Sequence, residues 1–302
     1  MSHVKPILIT GAAGNIGAIG NVLTRLLIKE GKQIRAMVRR EDERSESLRS
    51  LGAEIVIGDL LNLSDMHSAI EGCGSLYFSM TVSPEYLAAT VNVAAVAKHH
   101  GIEAFVNMSQ LTVSQMSITE TTSSPQQKLH WLAEQTLNWS GLPVVHVRPT
   151  VFMDGFFLKY SATNIKNANE IRAPFGSGKT SPIAAQDVAL ALSVVFLGPQ
   201  RYIGTVIELT GPQSEDMDFY ATEFSEVLGR RIRYVDLPFD LWRDSMSGSG
   251  LSEHAFDHLS TMGELIRNGR YDRMTDQFAR LTGKQPMAVR DFIQLHAEAF
   301  SR

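Results

Sequence analysis

Three glycines spaced three apart, Gly11, Gly14 and Gly17, constrain this chain more than any other feature. The apolar run Ile7, Leu8, Ile9 leads into them through Thr10, with Ala12, Ala13, Asn15 and Ile16 between, and a helical pattern follows over residues 22–28. The order reads strand, tight turn, helix. Glycine lets a backbone bend sharply and approach a ligand closely because no Cβ intervenes. Free N–H groups and the dipole at the start of the following helix favour a phosphate. Such a triplet carries weight only when a βαβ unit surrounds it, so the rest of the chain decides its meaning.

That unit is present. Glu30, Gly31 and Lys32 stop the first helix, and residues 33–38 form a second β-prone run that closes in Arg39 and Arg40. Further strands are expected at 53–57, 75–79, 104–109 and 144–148. Helices are expected at 47–51, from a Ser64–Asp65 cap to Ile70, at 86–100 and at 127–138. Strands alternating with helices predict an α/β fold, a doubly wound parallel sheet of the Rossmann kind. Ligands in such sheets bind beyond the carboxyl ends of the strands. The candidates are therefore Gly11, Ala13, Gly14, Asn15, Ile16 and Gly17, then Arg39, Asp59 and Leu60, then Ser79, Met80 and Thr81, and finally Ser109, Thr150 and Phe152. Residues 110–125, rich in Ser and Thr and without a strong period, read as an active-site loop.

After Thr150 the rhythm weakens. Residues 153–167, 186–197, 218–228 and 252–268 read as helical, 205–209 and 231–235 as strands, and 175–179 as a turn. The expected division is a dinucleotide-binding unit over 1–152 and a smaller α/β lobe over 153–302 that holds substrate or a partner. Some segments of that lobe are expected to return to the first unit.

A net charge of −4 offers no basic surface for nucleic acid. No apolar run approaches the ~20 residues of a membrane span, and residues 1–5 are too few for a signal peptide ahead of the first strand. Cys73 is the only cysteine, which rules out an intrachain disulfide and a Cys-rich metal site, and it reads as a small residue at the entrance of a strand. These features point to a soluble, cytoplasmic protein with no metal site, and they leave the oligomeric state open.

In units that hold NAD, an acidic residue about 20 positions past the glycines takes the ribose 2′-hydroxyl. Here the end of the second strand is Arg39, and a guanidinium suits a 2′-phosphate through charge-assisted paired bonds. The expected cofactor is NADP(H), with NAD(H) less favoured; the competing reading pairs Arg39 and Arg40 with Glu41 and Asp42 in a solvated turn. Asp59 either accepts from an adenine amino group or caps the turn after the third strand. Asp187 reads as a helix cap or a buried structural contact. Gly176, Ser177, Gly178, Lys179 and Thr180 imitate the end of a nucleotide P-loop but lack its first glycine and its leading strand, so that reading is rejected.

Residues 10–17 resemble the glycine motif of extended and atypical short-chain dehydrogenases. Residues 36–40 and 58–60 resemble that family's second and third strand ends, and 140–143 with 147–149 its sixth strand. Ile207, Glu208, Leu209, Thr210, Gly211 and Pro212 are similar to a late motif of its NmrA-like branch. The resemblance spans nearly the whole chain. It implies an NAD(P)-binding fold and a place among quinone, dye and azo reductases or silent redox sensors. The wider family uses Tyr-x-x-x-Lys before the sixth strand and a serine on the fifth, and the resemblance places Gln126 and His130 at the tyrosine and lysine positions, with Glu134 four residues on and Ser109 at the serine. No tyrosine lies between Tyr86 and Tyr160, so the usual proton relay is missing. His130 is the catalytic candidate, to hold the nicotinamide ribose or supply a proton; the alternative is a structural helix residue. Two functions follow. One is an NADPH-dependent reductase whose small aromatic acceptor takes hydride with little proton help, against Phe152, Met153, Phe156 and Phe157 unless these are core. The other is a non-catalytic NADP(H) sensor that binds a regulatory protein. A sugar-nucleotide epimerase is disfavoured because that chemistry needs the lost tyrosine.

Overall fold

The short apolar runs of the first half of the chain all become strands. The structure, a computed structural model, describes residues 5–14, 19–246 and 249–301. In order, the elements are β1 (Ile7–Ile9), α1 (Ile19–Lys29), β2 (Ile34–Val38), α2 (Glu43–Ser50), β3 (Glu54–Ile57), α3 (Leu63–Ile70), β4 (Ser75–Phe78), α4 (Tyr86–His99), β5 (Ala104–Met108), α5 (Pro125–Trp139) and β6 (Val144–Pro149). There follow α6 (Ala162–Ala168), β7 (Glu170–Ala173), α7 (Ala185–Leu197), β8 (Val206–Leu209), α8 (Met217–Leu228), β9 (Arg233–Asp236), α9 (Phe239–Ser245), α10 (Glu253–Arg267), α11 (Gln277–Thr282) and α12 (Val289–Leu295).

Seven strands form one parallel sheet in the order β3-β2-β1-β4-β5-β6-β8. The order reverses between β1 and β4, which is where such sheets open a crevice for ligand. Alternation of side chains across the pleat assigns the two faces. Ile7 and Ile9 pack with Leu23, Leu27, Val188 and Leu192 beneath α1 and α7, while Leu8 packs with Phe78, Phe105, Val93 and Ala133 beneath α3, α4 and α5. A third core gathers Phe157, Tyr220, Phe224, Phe292 and Phe300 around the parallel pair β7–β9 and helices α6, α8 and α12. Among the described residues, no helix is long and apolar enough to cross a membrane.

Several local expectations are corrected. Asn62, not Ser64 or Asp65, caps α3, accepting from the Ser64 and Asp65 N–H groups. Residues 153–167 are not one helix: a wide turn over Asp154–Lys159 precedes α6. Residues 111–115 of the expected loop form a short tight helix. β7 escaped prediction because Glu170 and Arg172 interrupt its apolar pattern, although Glu170 is buried by its pairing with Arg172 and Arg233. Met153 and Phe157 are fully buried in the third core, and Phe156 stacks on Phe175 with ring centres 5.1 Å apart, so these three are core rather than acceptor contacts.

Candidate active site

The glycine turn lies at the switch point. Gly11 has φ +66°, and a Cβ there would stand 3.3 Å from the Ser79 carbonyl oxygen at the end of β4. The Gly14 N–H donates to the Gly11 carbonyl at 3.0 Å and closes the turn. Thr10 ties the two strand ends together: its hydroxyl lies within 3.1 Å of the Tyr77 and Ser79 carbonyls and accepts the Ser79 N–H. Asn15, Ile16 and Gly17 lie outside the described residues. Gly20, which the sequence reading does not single out, is the tightest of the described glycines of the turn: a Cβ would meet the Gly11 oxygen at 2.7 Å and the Ala12 Cα at 2.9 Å. The signal was available, because Gly20 continues the three-residue spacing of 11, 14 and 17.

Arg39, at the end of β2, is 69% exposed in its side chain and stands 3.6 Å from the Asp59 carboxylate. It does not pair with Glu41 or Asp42; those carboxylates are engaged by Arg49 and Arg44. Arg44 also donates to the Ala13 carbonyl at 2.8 Å, so a second guanidinium, unforeseen in the sequence, touches the turn. Asp59 caps the turn after β3 by accepting the Leu61 N–H, while its own N–H donates to Asp65. Leu60 and Met80 are half-buried against the core under α3 and α4, Ser79 is half-buried, and Thr81 is exposed.

Farther along the sheet edge the chemistry changes. Among the described residues, several buried side-chain polar atoms between residues 109 and 130 lack a hydrogen-bond partner, Ser109 Oγ, Gln110 Nε2, Gln126 Nε2 and His130 Nδ1 among them. Thr150 Oγ1, past the end of β6, is another. Buried polar groups are normally satisfied, so a concentration past β5 and β6 and along the first turns of α5 marks a place where a ligand or water completes the bonding. Phe152 is half-buried beside it, bridged to Ile183.

His130 lies on α5 with its ring 4.1 Å from that of Tyr86. Burial, with His258 nearby, pushes its pKa down to about 3, so the imidazole is neutral near pH 7. Tyr86 donates its hydroxyl to the Met108 carbonyl at 3.0 Å, and burial raises its pKa. Gln126, at the family's tyrosine position, is a brace: its side-chain oxygen lies 3.1 Å from the Ser83 N–H and 2.8 Å from His254 Nε2. Ser124, the α5 cap, is 3.0 Å from His258 Nδ1. Helix α10 thus holds the start of α5 through two histidines. Tyr271, just past α10, points its buried hydroxyl toward Thr112 and Gln127. Nothing in the sequence marks Tyr271, His254 or His258, because only the fold brings residues so far apart together.

Glu134 pairs with Arg148 through two bonds, at 2.9 and 2.5 Å, with the carboxylate only 1% exposed. Arg148 also faces Glu208, which Arg273 approaches at 3.1 Å. This network joins α5, β6 and β8 below the site. Asp187 is a buried contact rather than a cap, accepting the Met287 N–H at 2.7 Å, with burial raising its pKa. Lys179 is an exposed partner of Glu215. Cys73 is buried, and burial raises its thiol pKa, which keeps it unreactive.

The chain is 27% identical over 289 residues to an NAD(P)H azoreductase of Xenophilus azovorans, covering 95% of this chain and 97% of that protein. Its fold matches an NADPH-dependent quinone oxidoreductase of Escherichia coli solved with NADPH, at a TM-score of 0.84 and 21% identity, over 96% of this chain and 99% of the other. It also matches the negative transcriptional regulator NmrA solved with NAD, at a TM-score of 0.76 and 18% identity, over 98% of each chain. The model of the NmrA-like family matches residues 3–287, and with its glycine turn at the switch point of a parallel sheet the chain belongs to that family.

Proposed function

We propose that this chain binds NADPH in preference to NADH and reduces a quinone-, azo- or dye-like acceptor without a tyrosine–lysine relay. The observation that carries this reading is a close-approach glycine turn at the switch point of a sheet that also presents buried, unpartnered polar atoms just past β5 and β6, on Ser109 and Thr150, and on α5, on Gln126 and His130. Leaving one such group unsatisfied costs about 1–3 kcal/mol, so a row of them suits a site completed by its ligand. Gly11, Ala13, Gly14 and Gly20 suit a pyrophosphate that must approach backbone; Asn15, Ile16 and Gly17 belong to the same motif. Arg39, exposed and only loosely held by Asp59, suits a 2′-phosphate. Asp59, Leu60, Ser79, Met80 and Thr81 would flank the adenosine half, and Ser109, His130, Thr150 and Phe152 the nicotinamide half.

When bound, the reduced nicotinamide supplies a hydride. The residues hold and orient; none of them is placed to relay a proton in the family's usual way. His130, kept neutral by burial, offers a hydrogen bond at Nδ1 and does not deliver a proton near neutral pH. A quinone or azo acceptor would take the hydride and then one proton from water, whereas a dye cation would be neutralised by the hydride alone and need no proton. Rate comes from alignment. The azoreductase relative supports this acceptor class. The test is NADPH consumption against a panel of quinones, azo dyes and triphenylmethane dyes. Turnover above the buffer rate supports the proposal; tight NADPH binding with no turnover on any acceptor sinks it.

The occupied positions of Gln126 and His130 favour one second reading, an NADP(H)-binding sensor read by a regulatory protein. Brisk turnover counts against it, as does partner binding that is the same with oxidised, reduced and absent cofactor.

A further inference from the structure

At the opposite edge of the sheet, three histidines that the active site does not use come together. His67 lies in the last turn of α3, His99 ends α4 and His100 caps it. One ring nitrogen from each falls within 4.8 Å of the others, and His67 Nδ1 is 3.0 Å from His100 Nε2. We infer that His67, His99 and His100 form a binding site for a divalent transition-metal ion of the zinc, copper or nickel class.

Four arguments carry this. First, the donors are three imidazoles, a set that suits Zn2+, Cu2+ and Ni2+ and not the oxygen-seeking Mg2+ or Ca2+. Second, the spacing is near what coordination needs: with Zn–N bonds of about 2.0–2.1 Å, tetrahedral ligand atoms stand about 3.4 Å apart. His67 and His99 are exposed, so a small rotation about their side-chain bonds closes the set without disturbing the core. Third, two helix carboxyl ends converge here, and their terminal carbonyls favour a cation. Fourth, the rings are already gathered: the His67 and His100 ring centres stand 4.8 Å apart and those of His99 and His100 5.0 Å apart, edge to face. Water can take the fourth position.

The site lies just ahead of β4 and β5, where Glu103 N–H bonds the Gly74 carbonyl, and so at the strands' amino ends, away from the glycine turn. A metal there would clamp α3 to α4 and stabilise the fold without touching the reaction. The inference is independent of the proposed activity.

The test uses the full chain without a polyhistidine tag. Zn2+ is titrated by calorimetry and Co2+ by its visible absorption. The expected result is one equivalent per chain, a ligand-field spectrum typical of nitrogen coordination, and a higher melting temperature with Zn2+. His67→Gln and His100→Gln should each weaken binding by at least about tenfold, with unchanged circular dichroism of the metal-free protein and unchanged NADPH binding. No saturable binding would overturn the inference. So would binding that survives in the His67→Gln/His100→Gln double variant, which would put the ion elsewhere, for instance at His254 and His258.

Discussion

Arg39 is where cofactor choice is expected to be read. Its guanidinium is mostly exposed, and Asp59, its close carboxylate among the described residues, is already committed to the turn after β3. Arg39→Ala should weaken NADPH roughly ten- to a hundredfold while leaving NADH nearly unchanged, since a charged hydrogen-bonded pair is worth ~1.5–3 kcal/mol; paired titrations of the two cofactors check this, and equal losses would remove Arg39 from the role. His130 and His258 make a second prediction, in pH. Unfolded, both take up a proton near pH 6.5; folded, burial holds them to about 3 and about 4. The folded state therefore binds fewer protons below pH 6.5. Stability is whole above that pH and drains as pH falls toward 4, by at most ~1.4 kcal/mol per pH unit for each histidine. The urea midpoint should fall from pH 7 to pH 5 in the native protein and fall less steeply in His130→Asn/His258→Asn; equal slopes would show that other groups carry the effect. At this scale the sequence was legible where a residue type is matched to one chemistry at a strand end, as with Arg39. It was not legible for Gln126, whose partners Ser83 and His254 come from distant segments.

The glycine turn and α1 are held by a contact that admits no side chain. Gly20→Val would drive its Cβ into the Gly11 carbonyl, and overpacking of this kind costs about 1–3 kcal/mol. A lower melting temperature together with weaker NADPH binding is expected; a normal melting curve with normal binding would show that the turn yields freely. The ion pair between α5 and β6 makes a sharper demand. Glu134→Ala leaves Arg148 buried with only the more distant Glu208, and breaking a buried pair from one side costs about 3–5 kcal/mol. Denaturant unfolding should show that loss, and Glu134→Ala/Arg148→Met should recover part of it. Strands β1 to β6 were legible because buried parallel strands read as continuous apolar runs between helix signals. β7 was not, because it is a two-stranded edge whose Glu170 is buried only by arginines from β7 itself and β9. Asn62 was passed over as the α3 cap because Ser64 and Asp65, equally good capping types, follow it immediately.

Across the whole molecule, one parallel sheet carries two different edges. Its carboxyl edge brings together the glycine turn, Arg39 and the unpartnered polar row, with α10 and Tyr271 closing over α5 from the second half of the chain. Its amino edge holds the three histidines. The fold class and the general position of the site follow from strand rhythm and the switch-point rule; the acceptor's surroundings do not, because they depend on how the third core seats α10 against α5. Hydride transfer without a protein proton relay is tested by a single turnover of the NADPH-loaded enzyme with a quinone, followed by loss of dihydronicotinamide absorbance from about pH 6 to 8. One equivalent should be consumed at a rate nearly flat in pH and little altered in His130→Asn. Absorbance that persists while NADPH stays bound, or a rate that collapses in His130→Asn along a titration near neutral pH, would contradict it.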